Sequence, residues 1–444
     1  MFEKLFELAK KKNIEALEIY VYDKEAIEIS LFHGEIDTYN VSSLKTISAR
    51  GIYKGQMGYA SSEKFGAGME KHLVDSIIKN ASIISAKEES VIYPGDEFYA
   101  EIHNDGDDLS KIPMSDKIAK LKELEKRCKE LDSRITEVGG CEYNEVNTTS
   151  TIINSLGLNL SRKNGYFVAY VSPIARQENG DARDGRAIAI SNHYKDFDVE
   201  KLAKNAVTDA LSKIGAAPIE SGKYKVVLQN KMMANLLGVI IGSAFAERVQ
   251  KGQSMFATKL NQPVANALVS VVEDPLLKGG LESTSFDDEG VATYKKNIIE
   301  KGILKTFLYN LKTAKKAGVK STGNGYKPGA TAAVGTGYVN AYLEPGETSY
   351  KDMLKQVGNG LLITELQGMH SGLDSISGNF SLQAKGFVIR NGEKAEPVSL
   401  ITVAGNLFSM LNEIECVGND LDYNFNPSIK APSVIVKELV VAGK

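Results

Sequence analysis

The stretch "ALEIYVYDKEAIEISLFHGEI", residues 16–36, alternates apolar and polar residues almost without interruption. A period of two places successive side chains on opposite faces of a β-strand. Asp23 and Lys24 lie between two alternating runs and predict a tight turn, so we interpret the stretch as a β-hairpin. The fold is therefore expected to begin with antiparallel strands.

The sequence on both sides of this stretch continues the mixture of helices and strands. An amphipathic helix is predicted before it, and "SARGIYKGQMGYASSE", residues 48–63, predicts a second strand pair interrupted by glycine. Helical periodicity returns between Met69 and Lys87. Ser115 is the predicted N-cap of a further helix, because its hydroxyl can accept a backbone N–H at the helix start.

Strand patterns dominate from Thr136 to Tyr194, and a helix is predicted from about Val199 to Ile214. The segment "GAAPIESGKY" then breaks all periodicity and predicts a domain boundary. We expect an N-terminal α+β domain over residues 1–217 and a C-terminal β-rich domain over residues 218–444. Because strands and helices occur in blocks rather than in strict alternation, the predicted class is α+β, with two domains and largely antiparallel sheets flanked by helices.

Composition and charge exclude several classes of function. The 444 residues contain 53 Lys and Arg against 56 Asp and Glu, so the chain has no basic field for nucleic acid, and we expect no such partner. Three cysteines without CxxC spacing predict neither a disulfide framework nor a thiolate metal site. No apolar run is long enough to span a membrane, and the N-terminal helix does not resemble a signal peptide. We expect a cytoplasmic protein without a membrane segment.

The stretch "NLLGVIIGSAFAERVQKG", residues 235–252, predicts one buried helix whose first two turns contain no ionisable group. Gly238 and Gly242 lie on a stripe of small residues, although each glycine costs a helix about 1 kcal/mol relative to alanine. This cost predicts that another backbone or a partner element packs closely against the stripe.

Two polar segments are candidates for function. "LQGMHSGLDSISGNFSLQ", residues 366–383, groups His370, Asp374, Ser377 and Asn379 in a glycine-rich loop, which we interpret as a peptide-binding or interface loop or as a plain connection. "SFDDEG", residues 285–290, has three adjacent carboxylates. Calcium loops space their ligands at alternating positions, so a turn entering a hairpin is the favoured interpretation.

Several longer segments resemble the TldD/PmbA family. They are "FDDEGVATYKKNIIEKG", "GILKTFLYNLKTAKKAGVKSTGNGY", "SGNFSLQAKGFVIRNGEKAEPV" and "VGNDL", and the pattern of residues 16–63 is similar to that family's opening domain. The resemblance covers nearly the whole chain. It implies the family's fold and a relation to zinc metalloproteases that act on unfolded or modified peptides.

Catalytic members of the family carry an HExxxH motif on a helix and a cysteine near the carboxyl terminus. Counted back from "KGQSMF", that motif falls on Leu237, Gly238 and Gly242, none of which can bind zinc or accept a proton. No histidine lies between His193 and His370 that could replace it. Cys416 precedes "VGNDL", on the wrong side for the family's cysteine.

Because every ligand is missing, this sequence resembles the PmbA branch of the family, also called TldE, whose members lack these ligands. The leading hypothesis is a non-catalytic subunit that binds no cofactor itself, pairs with a TldD-type catalytic subunit carrying zinc, and contributes part of a channel for a peptide substrate. When it is alone, we expect a homodimer. The alternatives are a homodimeric peptide-binding or scaffold protein without a protease partner, and a hydrolase whose chemistry has moved to His370, Asp374 and Ser377.

Overall fold

The alternating stretch forms one strand rather than a hairpin in the computed structural model. Helix α1 (Phe2–Lys11) precedes strand β1 (Ala16–Phe32), and strand β2 (Glu35–Tyr53) follows it. The predicted turn at Asp23 is wrong because this residue is paired on both sides, with Lys45 of β2 and with Thr149. The structure describes residues 2–83, 91–103, 105–178, 180–422 and 426–444.

The turn lies ten residues further along the chain. His33 and Gly34 have φ values of 53° and 80°, the left-handed conformation that both central residues of a type I′ hairpin turn require. A second such turn at Lys54 and Gly55, with φ values of 51° and 72°, joins β2 to the next strand. It confirms the strand pair predicted for residues 48–63.

A seven-stranded antiparallel sheet occupies the first half of the described chain. Its order is β3-β2-β1-β4-β5-β6, and β7 also pairs with β5. The further strands are β3 (Gln56–Ser62), β4 (Ile135–Asn154), β5 (Asn159–Arg176), β6 (Ala182–Asp184) and β7 (Ala187–Ser191). The strands β1, β2, β4 and β5 are long, with 17 to 20 residues each.

Three further helices cover this sheet: α2 (Met69–Ile83), α3 (Met114–Leu131) and α4 (Val199–Ser212). Helices α1 and α2 bury one apolar cluster against β1 and β2, and α3 and α4 bury another against β4 and β5. The predicted N-cap at Ser115 is wrong, because α3 already begins at Met114, after Pro113. The Ser115 hydroxyl lies within the first turn and donates to Asp116 instead. The last residues of the helix predicted to end at Lys87 lie outside the described residues.

The second half of the chain contains two larger sheets and a short strand pair. The sheet orders are β11-β10-β9-β14-β19 and β17-β16-β15-β8-β20-β18, while β12 pairs with β13. The strands are β8 (Gly222–Leu228), β9 (Val271–Glu273), β10 (Lys296–Glu300), β11 (Ile303–Leu304), β12 (Gly325–Tyr326), β13 (Gly335–Thr336), β14 (Ala341–Leu343), β15 (Gly360–Gln367), β16 (Asn379–Arg390), β17 (Glu393–Asn406), β18 (Ile414–Val417), β19 (Ile429–Lys430) and β20 (Val434–Ala442). The helices are α5 (Asn230–Ser243), α6 (Ala246–Gln250), α7 (Leu311–Ala317), α8 (Tyr350–Val357), α9 (Met369–Gly372) and α10 (Leu407–Asn412).

Antiparallel pairing dominates here as well, and the parallel exceptions among the named strand pairs are β8 with β15 and β14 with β19. Helix α5 packs against β14, β15, β19 and α10, at the centre of the largest apolar cluster. These sheets and helices confirm the predicted α+β class. The boundary between residues 217 and 218 stays a prediction. Within the described residues, no helix combines the length and the apolar character needed to cross a membrane.

Candidate functional site

The helix to which the family motif would map is helix α5, and its motif positions face packed protein. Leu237 is completely buried, and Gly242 is buried near the end of the helix. Gly238 is only partly buried. Neither a leucine nor a glycine side chain offers a donor atom to a metal.

The neighbours of the two glycines within this chain are side chains, so the predicted approach of another backbone of the chain is wrong, and the approach of a partner element stays a prediction. A Cβ atom placed on Gly238 would lie 3.2 Å from the Tyr338 hydroxyl oxygen and 3.7 Å from Cδ1 of Ile429. A Cβ atom on Gly242 would lie 3.5 Å from Nη1 of Arg248, which is ordinary contact. A side chain at position 238 would press against Tyr338, whereas a Cβ atom at position 242 would fit without displacing its neighbour.

The predicted helix over residues 235–252 is also longer than the real one. Helix α5 begins earlier, at Asn230, and ends at Ser243. Leu308 pairs with the chain immediately after it: the Leu308 N–H donates to the Ala244 carbonyl, and the Ala246 N–H donates to the Leu308 carbonyl. These bonds hold Phe245 in an extended conformation, so the helix is interrupted before α6.

The zinc site that the family implies does not fit these residues. Of its mapped positions, Leu237 lies in the apolar core and the two glycines carry no side chain. Across residues 2–83, 91–103, 105–178, 180–422 and 426–444, no group of three or more His, Cys, Asp or Glu side chains is placed to hold a metal ion. Cys416 is buried in strand β18, and its thiol contacts the Val417 carbonyl.

A cleft of about 640 Å³ lies between the two halves of the chain. One wall comes from the start of β5 and from residues 101–103 and 105, and the other from residues 276–280 and 283–286. Both walls carry charge, because Arg162 and Lys163 lie on the first and Lys278 on the second. Its size is within the range of small-ligand pockets, and its walls combine charged and polar groups with apolar side chains such as Leu276 and Phe286.

A second cavity of about 420 Å³ adjoins this cleft. The two share Lys278 and the adjacent glycines, and Lys430 of β19 lines the second. Burial lowers the pKa of Lys430 to about 8, an effect that Glu282 partly offsets. The preceding residue, Ile429, contacts the Gly238 position. Strand β19 therefore presents Lys430 to the cavity and Ile429 to α5, and the residues that line the two cavities include none from α5.

The carboxylate run forms the predicted turn, and Phe286 and Ala292 close it as an antiparallel bridge. The prediction did not anticipate that all three carboxylates are buried, with 0% to 5% of each residue exposed. Asp287 accepts backbone N–H groups from Glu289, Val291 and Gly325. Burial and the nearby Glu289 raise the pKa of Asp287, and these three donors partly offset the shift. We call residues 286–292 the carboxylate turn.

The other two carboxylates join the carboxylate turn to the N-terminal sheet. Asp288 accepts from Nη2 of Arg162 at 2.6 Å and from the Tyr20 hydroxyl at 3.0 Å. Glu289 accepts from Nη1 of Arg50 at 3.2 Å. Tyr20 lies on β1, Arg50 on β2 and Arg162 on β5. The turn therefore connects the C-terminal half to three strands of the first sheet.

Arg50 is the centre of this junction. Its Nε donates to Glu18 at 2.6 Å, and the arginine and both of its carboxylate partners are almost completely buried. Burial raises the pKa of Glu18, and the guanidinium of Arg50 partly offsets that shift. Close by, the Lys327 ammonium donates to the Ser48 hydroxyl, and burial lowers the pKa of Lys327 to about 8.

The loop around His370 contains no catalytic arrangement. His370 is exposed, and no described hydrogen bond joins its imidazole to Asp374 or Ser377. Asp374 instead accepts the backbone N–H groups of Ile376 and Ser377, which lower its pKa. The Asn379 side chain accepts from Asn406, which fixes the start of β16. The geometry therefore gives the hydrolase alternative no support.

Sequence reasoning missed the cleft and the charged junction. Both are formed by residues from distant parts of the chain. In the junction, for example, Arg50, Arg162 and Asp288 lie more than a hundred residues apart. Local periodicity carries no information about such pairs. The one available signal was the run of three carboxylates itself, because adjacent acidic residues in a turn repel one another unless cations are supplied from elsewhere.

The fold defines an α+β protein whose two β-rich halves are joined by a buried charged junction. Models described as PmbA/TldA metallopeptidase domain 1, central domain and C-terminal domain match residues 17–81, 107–214 and 221–443, in that order. The last model alone covers half of the chain. The chain therefore belongs to the PmbA/TldD family, which confirms the resemblance found in the sequence.

Named relatives agree with this membership. The chain is 28% identical to the metalloprotease PmbA of Escherichia coli O157:H7, over 99% of this chain and 94% of that protein. A crystal structure from Thermotoga maritima, of a candidate modulator of a DNA gyrase, has 33% identity and a TM-score of 0.90 over 99% of both chains. TldE of Thermococcus kodakarensis shares the fold, with a TM-score of 0.90 and 24% identity over the full length of both.

Proposed function

We propose that this chain is a non-catalytic, PmbA/TldE-type subunit of a two-component metalloprotease. A TldD-type partner supplies the zinc ion and cleaves the peptide bond. This chain contributes structural support, an interface for the partner and part of the channel that holds an unfolded or modified peptide. Its place of action would be the cytoplasm.

The observation that carries the proposal is the packing of Leu237, Gly238 and Gly242 in α5. Family membership gives the expectation of a metal helix, and the side chains at the mapped positions contain no ligand atom. Leu237 lies inside the apolar core, among buried apolar side chains that offer no ligand atom to a metal. The helix is consistent with a retained structural role after loss of the metal chemistry.

The cleft supports the second part of the proposal. It runs between the two halves of the chain, and the adjoining cavity reaches Lys430 of β19, the strand whose Ile429 packs against α5. An extended peptide presents backbone N–H and C=O groups along its whole length, and the polar walls of the cleft can pair with them. In a complex, the same cleft could lead a peptide towards the metal of the partner.

Co-expression with a tagged, HExxxH-bearing relative from the same organism tests the proposal. We expect the two chains to co-purify, zinc to be present at one ion per partner chain, and unfolded peptides to be cleaved only by the complex. Replacing the motif glutamate of the partner by glutamine should leave the complex intact and abolish cleavage. Stoichiometric zinc and peptide cleavage in this chain alone would contradict the proposal.

A pair of surface variants tests the channel separately. Lys278→Glu changes the charge shared by both cavities, and we expect it to raise KM for peptide cleavage by the complex with little change in kcat. Lys320→Glu makes the same charge change at an exposed position outside both cavities and serves as the control. Equal effects of the two variants would argue against a peptide channel here. Failure of every HExxxH-bearing relative to associate would favour the homodimeric scaffold alternative.

A further inference from the structure

Lys430 differs from the other buried lysines because it has no anionic partner. Lys117, Lys296 and Lys430 are the lysines that are buried in the described parts of the chain. The ammonium groups of the first two lie 2.6 Å and 2.9 Å from buried carboxylates. The Lys430 ammonium forms no ion pair with any described carboxylate, and its described hydrogen bond goes to the Pro427 carbonyl at 3.0 Å.

The environment of Lys430 leaves this cation incompletely compensated. An ammonium group has three N–H donors, so two remain after the bond to Pro427. Glu282 favours the charged form, but its carboxylate accepts the Ser428 hydroxyl rather than the ammonium. Burial lowers the pKa of Lys430 to about 8, so the side chain is still mainly protonated at neutral pH. A buried cation in this state is stabilised by any anion that reaches its free donors.

The free donors can be reached from the cavity that adjoins the cleft. Ile429 packs against α5, so the alternation of a strand places Lys430 on the other side of β19. Lys430 and its acceptor Pro427 both line the cavity of about 420 Å³, which places the ammonium at the cavity wall. The cavity and the cleft share Lys278 and the two glycines that follow it. A ligand in the cleft therefore has a continuous path to Lys430.

The charges around the cavity favour an anion with a single charge. Lys278 and Lys430 line it, and so do Asp105 and Asp196. A dianion such as phosphate would add two negative charges to a wall that already carries two carboxylates. A carboxylate adds one charge, and its two oxygens match the two free donors of Lys430. The cavity therefore suits a carboxylate better than a phosphate.

We propose that the Lys430 ammonium binds a carboxylate of the peptide whose chain lies in the adjoining cleft. The carboxylate comes either from the C-terminus of the peptide or from an Asp or Glu side chain within it. The identity of the ligand as a peptide rests on the proposed function, whereas the affinity of the cavity for a carboxylate does not. Binding at this point would fix the position of the peptide along the cleft.

A pair of small probes tests the site in this chain alone. N-acetylglycine and N-acetylglycinamide have nearly the same size, and only the first carries a carboxylate. At constant ionic strength we expect N-acetylglycine to raise the Tm of the chain by about 1–2 °C, and the amide to leave it unchanged. Lys430→Met should abolish this shift. Lys320→Met, at an exposed position outside the cavity, should retain it.

The stability of Lys430→Met without ligand separates a binding role from a structural one. A lysine that waits for a ligand has no buried carboxylate to leave behind, so the Tm of Lys430→Met should equal or exceed that of the unmodified chain. Lys117→Met is the matched comparison, because it leaves Glu145 buried without its cation and should lower the Tm. A Tm of Lys430→Met as low as that of Lys117→Met would show a structural role and overturn the proposal.

Three labelled peptides identify the source of the carboxylate. They share one unfolded sequence and end in a free carboxylate, in an amide, or in an amide with one glutamate added in the middle. Fluorescence anisotropy measures their binding to this chain. We expect a peptide with a carboxylate to bind about tenfold more tightly than the plain amide, and Lys430→Met to remove the difference. Tighter binding of the first peptide identifies the C-terminus, and tighter binding of the third identifies an acidic side chain.

Other outcomes would overturn the proposal. Equal Tm shifts with N-acetylglycine and its amide, or a shift that persists in Lys430→Met, would remove the site. A larger shift with inorganic phosphate than with N-acetylglycine would exclude a carboxylate as the preferred anion. Equal binding of all three peptides would exclude the peptide as its source. The measurements need no partner and no cleavage, so failure of the two-component protease would be detected separately, in the cleavage assay of the complex.

Discussion

Helix α5 and the carboxylate turn are both buried, but they are stabilised in opposite ways. Helix α5 contributes Leu237 and its apolar neighbours to the core and carries no ionisable side chain between Met232 and Ser243. The carboxylate turn buries three carboxylates: Asp288 and Glu289 depend on cations from the other half of the chain, and Asp287 depends on backbone donors of its own half. Helix α5, to which the family's metal motif maps, is therefore apolar. The carboxylate turn, which the sequence suggested to be a simple turn, contains the charged network.

The difference teaches that burial has separate consequences for apolar and ionised groups. An apolar residue needs only close neighbours, and the helix period of the sequence supplies them. A buried carboxylate is stable only when its partners are in place, and removing one partner costs more than the pair contributes. Variants in the two regions should therefore differ in size and in pH dependence.

The largest effect is expected from restoring the motif in α5. The triple variant Leu237→His, Gly238→Glu, Gly242→His buries several polar groups without partners, which should lower the free energy of unfolding by about 4–6 kcal/mol. We expect no stoichiometric zinc and no peptide cleavage, because a third ligand and its supporting contacts are missing. Thermal unfolding, metal analysis and a peptide assay measure this. Zinc-dependent cleavage by the variant would show that only the ligands had been lost.

Arg50→Met should have the next largest effect, because it leaves Glu18 and Glu289 buried without their cation. Breaking a buried ion pair in this way costs about 3–5 kcal/mol. Lys45→Met on the same strand is the control, since its partner Asp23 is exposed and such pairs contribute about 0–1 kcal/mol. Urea unfolding compares the two. Equal effects would mean that the junction does not depend on its charges.

The junction should also respond to pH through Lys327. Burial lowers the pKa of Lys327 to about 8 from 10.5, so between these values the unfolded chain binds more protons than the folded chain. The free energy of unfolding contributed by this residue therefore rises with pH across that window, by about 3 kcal/mol in total. Comparing the chain with Lys327→Met at about pH 7.5 and pH 10.5 isolates this effect. A stability difference that stays constant with pH would rule it out.

The two glycines of α5 should give the smallest effects, and effects of opposite sign. Gly238→Leu would press against Tyr338 and should cost about 1–3 kcal/mol. Gly242→Ala meets only ordinary contact with Arg248 and removes a helix-disfavouring residue, so it should stabilise the chain by up to about 1 kcal/mol. Differential scanning calorimetry measures both. Destabilisation by Gly242→Ala would reveal a neighbour closer than the one observed.

The sequence by itself determined the α+β class, the antiparallel pairing and the apolar character of α5. These properties depend on local periodicity, which a single chain displays directly. It also established that Leu237, Gly238 and Gly242 cannot bind zinc, because that follows from residue type. Family membership was recognisable for the same reason, since the matching segments are continuous in the sequence.

Only the tertiary structure decided where the strands and helices end. Asp23 lies within a strand because β2 and β4 pair with it from both sides, and α5 ends at Ser243 because Leu308 takes the hydrogen bonds of the next residues. The burial of Asp288 likewise depends on Arg162, which is far away in the chain. Each of these results follows from contacts between distant residues, and the free energy of such contacts is absent from any local stretch of sequence.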